Sequence, residues 1–293
     1  MPWQKLSIQV GPDRVAAIEE ELEAAGALSV TVTDAADSPI LEPPIGSTPL
    51  WPDNVISGLF PAEQALAPLI RHLHETLAIP EEALRLETLE DQAWERVWMD
   101  EYHPMRFGQH LWIVPSWSEP PDPEAVNILL DPGLAFGTGT HPTTALCLEW
   151  LDAHPPTGKL VVDYGCGSGV LAIAALRLGA RHAWAVDIDP QALTATEDNA
   201  DKNGIAAGNL YTAGPDGLPP MQADLVIANI LAGPLVELAP ELTQLLAPGG
   251  RLLLSGILAE QADEVRRAYP EIDWQAHSER EQWACLAGQR KKS

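Results

Sequence analysis

The sequence predicts two bodies: a small α+β, ferredoxin-like domain followed by a larger doubly wound parallel sheet. Three observations carry that expectation. The first ninety residues read βαββαβ, and the chain beyond Gly158 alternates strands with helices. One buried strand in the second part runs into three alternate glycines. A length of 293 residues also suggests two domains.

In the leading unit Leu6, Ile8 and Val10 alternate as in a half-buried strand, and residues 14–27 keep helical spacing up to Gly26. Residues 29–33 read as a second strand. Pro39, Pro43, Pro44, Pro49 and Pro52 exclude regular structure from 37–53 and predict an extended excursion. Residues 54–59 make a third strand, 62–77 a helix and 84–89 a fourth strand, so this domain spans 1–90. Trp94 and Trp98 share one face of a predicted linker helix over 91–104, suited to docking against a neighbour. The second domain, 105–293, opens with a strand pair at 111–117 and 125–130 around the prolines of 120–123. Seven strands then follow at 160–164, 183–187, 210–212, 223–228, 251–255, 273–278 and 283–289. Helices at 170–178, 191–203, 235–246 and 259–269 lie between the first six, with none between 210–212 and 223–228, and a charged turn at 279–281 joins the last two as an antiparallel edge.

Charge narrows the partners. Seventeen Lys and Arg stand against 42 Asp and Glu, a formal charge of −25. Such a surface repels phosphate backbones, so a broad nucleic-acid face is nearly excluded and a basic partner is attracted, although solubility also accounts for acidity. Residues 1–100 hold five of the Lys and Arg and eighteen of the Asp and Glu, about half the excess in a third of the chain. Three cysteines without CxxC spacing suit a reducing compartment and argue against a disulfide framework or structural zinc. No apolar signal core opens the sequence and no run nears the ~18–20 apolar residues that span a bilayer. The expectation is a cytoplasmic protein without a membrane partner.

The strongest chemical signal is Val161-Val162-Asp163-Tyr164-Gly165-Cys166-Gly167-Ser168-Gly169. Glycines let the backbone turn sharply and touch a ligand, and the following helix offers unpaired N–H groups. A dinucleotide fingerprint needs glycine at 170, where this chain has Val170. Asp163 would repel a diphosphate and welcome a cationic amino-acid moiety. The next strand ends in Asp187-Ile188-Asp189-Pro190, with Asp187 placed to accept both hydroxyls of a ribose and Asp189 a helix N-cap. Two acids around three glycines describe a nucleoside with a positively charged tail, which is S-adenosylmethionine. The fourth strand closes in Asn229, followed by Ile230 and Leu231 with no aromatic, which favours an sp³ amine over a flat base or amide. The segment Asp131 to Thr144 holds three glycines and four threonines around Phe136 and reads as a loop closing over the cofactor. His141, ahead of Pro142, suits capping or orienting as well as it suits a base.

The segments LDPGLAFGTGTHPTT, DYGCGSGVLAIAAL, AVDIDPQAL and DLVIANILAGPL closely resemble the bacterial methyltransferase family that modifies the eleventh large-subunit ribosomal protein. The likeness covers nearly the whole chain. It implies a seven-stranded, Rossmann-like class I methyltransferase domain and trimethylation of lysine ε-amines and the α-amine of that basic ribosomal protein, free or on the ribosome. It also implies a leading domain that recognises the substrate and swings relative to the catalytic one. By matching positions, Thr144, Gly165, Asp187 and Asn229 would contact S-adenosylmethionine. Asp163, Gly167, Ile188, Phe136 and Thr138 complete the expected cofactor set, Asn229 is the expected catalytic residue, and no metal is expected. The alternative is a class I methyltransferase acting on RNA or another nitrogen. Action as a monomer is the expectation.

Overall fold

The computed structural model describes residues 3–36, 49–89, 102–131, 141–275 and 277–292. The chain divides into two compact units, Met1–Trp98 and Met99–Ser293. Most of the expected excursion at 37–53, the linker helix at 91–104 apart from its last residues, and the loop residues Phe136 and Thr138 lie outside the described residues.

The first unit runs β1 (Trp3–Val10), helix Val15–Ala24, β2 (Ser29–Asp34), β3 (Asn54–Pro61), helix Ala67–Glu75 and β4 (Leu84–Leu89). Its sheet has the order β2-β3-β1-β4 with every pair antiparallel, as the βαββαβ reading requires. Leu6, Ile8, Ile56 and Phe60 on one sheet face meet Ile18, Leu22 and Leu73 of the helices, all fully buried. The second helix begins at Ala67 and not at 62, because Gln4 Nε2 donates to the carbonyls of Ala62 (2.7 Å) and Gln64 (3.0 Å) and fixes that stretch as a turn.

The second unit opens with a small sheet of β5 (Met105–Phe107), β6 (Leu111–Val114) and β7 (Val126–Leu129). The pair expected here is present, but β6 and β7 run parallel, Leu111 facing Val126 and Val114 facing Leu129. Residues 115–125 therefore carry the chain back along the strand instead of making a hairpin. The large sheet has the order β10-β9-β8-β11-β12-β15-β13, with β14 paired to β15. Its strands are β8 (Leu160–Tyr164), β9 (His182–Val186), β10 (Leu210–Ala213), β11 (Ala223–Asn229), β12 (Leu246–Leu258), β13 (Ile272–Trp274), β14 (Ser278–Arg280) and β15 (Trp283–Arg290). The five from β10 to β12 are mutually parallel, and β15 is antiparallel to β12. Helices Pro142–Ala153, Val170–Arg177 and Pro190–Lys202 cover one face; Ala232–Glu237, Ala239–Leu245 and Ala262–Ala268 cover the other.

Three sequence expectations shift. The helix expected at 235–246 is two short ones meeting at Leu238, since Pro240 has no amide to continue the ladder. Glu279 and Arg280 belong to β14, and the reversal falls at Glu281, whose φ is 57°. Strand β12 is longer than 251–255 and absorbs a register shift between Leu254 and Ile257.

Sheet order reverses at β8, which has β9 on one side and β11 on the other, so a crevice opens beyond the carboxyl ends of these strands. The approach of β7 to it is pinned by Asn203, at the end of helix Pro190–Lys202. Asn203 Oδ1 accepts from the Leu129 amide and Nδ2 donates to the Leu129 carbonyl, both at 2.8 Å. Two residues on, Asp131 accepts from the Ser116 amide at 2.7 Å. Asn203→Ala would strand both Leu129 groups and should cost about 2 kcal/mol, read as a lowered urea midpoint with unchanged slope.

Candidate active site

The loop after β8 is built from borrowed hydrogen bonds. Gly165, Gly167 and Gly169 have φ of +77°, +54° and +76°, values that favour glycine. The Gly165 amide donates to the Val186 carbonyl at 2.7 Å, and the Gly167 amide to Asp187 Oδ2 at 2.9 Å. Helix Pro190–Lys202 takes the loop's carbonyls: Thr196 Oγ1 donates to Gly167 and Asn199 Nδ2 to Ser168. A Cβ on Gly169 would fall 2.6 Å from Thr196 Cγ2, so the loop sits hard against that helix. Thr196, Asn199 and Asn203 form a polar stripe at i, i+3 and i+7 that sequence reasoning missed. The signal was present as polar residues on the sheet-facing side of a predicted helix.

Asp187, at the end of β9, is half-buried. Its Oδ2 holds the Gly167 amide and its Oδ1 the Asp189 amide at 3.0 Å, which leaves lone pairs open for further donors. Asp189 caps the next helix by accepting from Gln191, with Pro190 in the first turn. Ile188 stands 85% exposed between these acids.

Asp163 is fully buried, one layer beneath the loop. Its Oδ2 accepts the Ala172 amide at 3.0 Å and so caps a helix whose own N-cap, Gly169, has no side chain to offer. Its Oδ1 has no hydrogen-bond partner among the described residues. Burial pushes this carboxyl up to about 7; the Ala172 amide opposes the rise and the Asp187 carboxylate adds to it.

Asn229 closes β11. Its Nδ2 donates to Thr144 Oγ1 at 3.2 Å, and Thr144 is fully buried on helix Pro142–Ala153. Its buried Oδ1 finds no partner among the described residues. Ile230 follows under tight constraint: a Cβ on Gly165 would lie 2.3 Å from its Cγ2, and one on Gly256 would lie 2.4 Å from its carbonyl oxygen. Leu231 is 49% exposed. His141 is spent locally, its Nδ1 2.8 Å from Thr143 Oγ1 and its ring edge-on to Trp283 at 4.7 Å. Burial lowers its pKa.

Thr144, Asp163, Gly165, Gly167, Asp187, Ile188 and Asn229 are therefore gathered at the carboxyl ends of β8, β9 and β11. A carboxylate with open lone pairs, two unpartnered buried oxygens and a backbone turned by glycine can hold a hydroxyl-bearing cation and a second donor beside it. Among the described residues no group of three or more His, Cys, Asp or Glu could hold a metal ion, and no helix is long and apolar enough to cross a membrane.

Residues 2–291 match the family model described as "Ribosomal protein L11 methyltransferase (PrmA)". The chain is 54% identical over 294 residues to "Ribosomal protein L11 methyltransferase" of Pseudomonas paraeruginosa (strain DSM 24068 / PA7), covering 99% of both sequences. It is 56% identical over 271 residues to the protein of that name in Azotobacter vinelandii (strain DJ / ATCC BAA-1303), covering 92% of each. Among solved structures, the ribosomal protein L11 methylase of Lactobacillus delbrueckii subsp. bulgaricus superposes with a TM-score of 0.60 at 36% identity, over 65% of this chain and all of that one.

Asp163 makes stability depend on pH. The folded carboxyl keeps its proton to about 7, whereas an unfolded aspartate loses it near 3.9. The folded state thus binds more protons between those values, and stability falls as pH rises through that window. Asp163→Asn removes the titration, so its urea midpoint relative to wild type should climb from about pH 5 to about pH 8. A constant difference across that range would show that Asp163 does not titrate there.

Proposed function

The chain belongs to the ribosomal protein L11 methyltransferase family, and on that premise we propose that it trimethylates lysine ε-amines and the N-terminal α-amine of ribosomal protein L11. It is an S-adenosylmethionine-dependent methyltransferase. The observation that carries the reading is the Oδ1 of Asn229, buried at the end of β11 and without a partner among the described residues. The crevice residues fit the methyl donor: Asp187 has lone pairs left for ribose hydroxyls, and a cationic tail nearby would favour the ionised form of Asp163, whose Oδ1 has no partner among the described residues. Gly165, Gly167, Thr144 and the exposed Ile188 would complete the contact.

When bound, S-adenosylmethionine supplies an electrophilic methyl on a sulfonium sulfur. The chain's residues have to present a neutral amine to it. At pH 7 a lysine of pKa ~10.4 needs about 4.6 kcal/mol to lose its proton, and an α-amine near 7.8 about 1 kcal/mol. Ile230 and Leu231 give the acceptor side an aliphatic wall that disfavours the ammonium form. Asn229 would orient the amine so that the amine's own nitrogen lone pair faces the methyl group, and the product ammonium would give a proton to solvent before the next transfer. Positioning supplies most of the rate. The acidic leading domain would steer a lysine-rich partner to the crevice.

The direct test is to incubate the full chain with labelled S-adenosylmethionine and ribosomal protein L11 and locate the label by mass spectrometry. Label on lysine ε-amines and the α-amine supports the reading; none on that protein overturns it. Asp187→Ala should weaken S-adenosylmethionine binding at least about tenfold by calorimetry, through lost hydrogen bonds to a charged acceptor. KM for ribosomal protein L11 should rise as salt goes from about 0.05 to about 0.5 M while affinity for the methyl donor changes little.

A further inference from the structure

The Asn229 amide is held with a definite polarity. Its Nδ2 is committed to the buried hydroxyl of Thr144, so Oδ1 is the end left without a partner among the described residues. A buried acceptor lacking a donor at the mouth of a crevice marks where a ligand's N–H belongs. The polarity matters for attack on a methyl group. An amide nitrogen turned toward the amine would donate to the very lone pair that must attack. An amide oxygen accepts an N–H and leaves that lone pair free. The bond also strengthens as the nitrogen gains positive charge on the way to the ammonium, so it favours the transition state over the bound amine.

The consequence depends on counting hydrogens. A neutral primary amine carries two N–H groups, a monomethylamine one and a dimethylamine none. We propose that Thr144 is a positioning residue that turns the Asn229 oxygen toward the acceptor amine, so that the site aids the first two methyl transfers and gives no such aid to the third. This rests on the reading that places Asn229 beside the amine. The first two steps balance in the same way: the nitrogen lone pair forms the N–C bond, the C–S electrons pass to sulfur, and one proton leaves to solvent. In the third step the product is a fixed quaternary cation and no proton is released.

The test uses the full chain at saturating S-adenosylmethionine, with ribosomal protein L11 peptides whose lysine carries zero, one or two methyl groups. Single-turnover rates are read by mass spectrometry. Asn229→Ala should slow the first and second transfers about tenfold and the third less than about twofold. Thr144→Val should give the same skew among the three rates, and Thr144→Ser should restore the wild-type ratios. Using ratios within one variant cancels any change in donor binding. Equal slowing of all three steps in Asn229→Ala, or unchanged ratios in Thr144→Val, overturns the inference while leaving Asn229 at the amine. If Asn229→Ala alters none of the three rates, the placement of Asn229 itself is wrong. Should Thr144→Val fail to fold, the Asn229→Ala ratios alone decide.

Discussion

The turn from β8 into its helix has to be rigid while keeping its backbone open to a ligand, and much of the second unit serves that requirement. Three glycines at positive φ make the turn, and they bring no side chains to fix it. The fixing comes from neighbours: Val186 and Asp187 hold the amides of Gly165 and Gly167, Thr196 and Asn199 hold the carbonyls of Gly167 and Ser168, and Asp163 caps the helix that follows. Strand β9 and helix Pro190–Lys202 are thus as much part of the loop as the glycines are. Asp187 belongs to this frame through both carboxylate oxygens, which hold the amides of Gly167 and Asp189.

The alternation of apolar runs with glycines and acids exposed this frame at the level of strands and their ends. Asp163, Asp187, Asn229 and the three glycines were legible because a strand that closes in a polar residue at a sheet edge has few other reasons to do so. The lateral support was not. Thr196, Asn199 and Asn203 look like ordinary polar helix residues until the helix is seen to lie against the loop and β7. The parallel pairing of β6 with β7 was also hidden, since two short strands around prolines read locally as a hairpin and only tertiary contacts decide direction. Asp163 was read as a ligand group alone, yet half of its carboxylate is spent on a helix end.

Electrostatics set two demands that conflict if placed at one point. A surface of net −25 would draw a basic partner and would also hold that partner's amines protonated, whereas the proposed transfer needs them neutral. Separation in the chain eases the conflict. About half the excess negative charge lies in residues 1–100, outside the sheet that carries the crevice. The two crevice carboxylates are each already bonded to backbone amides, which tempers their hold on a nearby ammonium, and aliphatic residues follow Asn229. Attraction and deprotonation are then asked of different surfaces.

The aliphatic residue after Asn229 is itself a structural necessity. Ile230 is boxed in from two sides, with its Cγ2 occupying the space beside Gly165 and its backbone the space beside Gly256. Gly256 lies in the register shift of β12 at φ +83°, so the strand bends there to let the turn after β11 pass. A flat aromatic at 230 would need room that the glycine loop on one side and β12 on the other have already taken. The same close packing holds the backbone directly after Asn229. What can stand at position 230 follows from how the glycine loop, the end of β11 and the bend in β12 fit together.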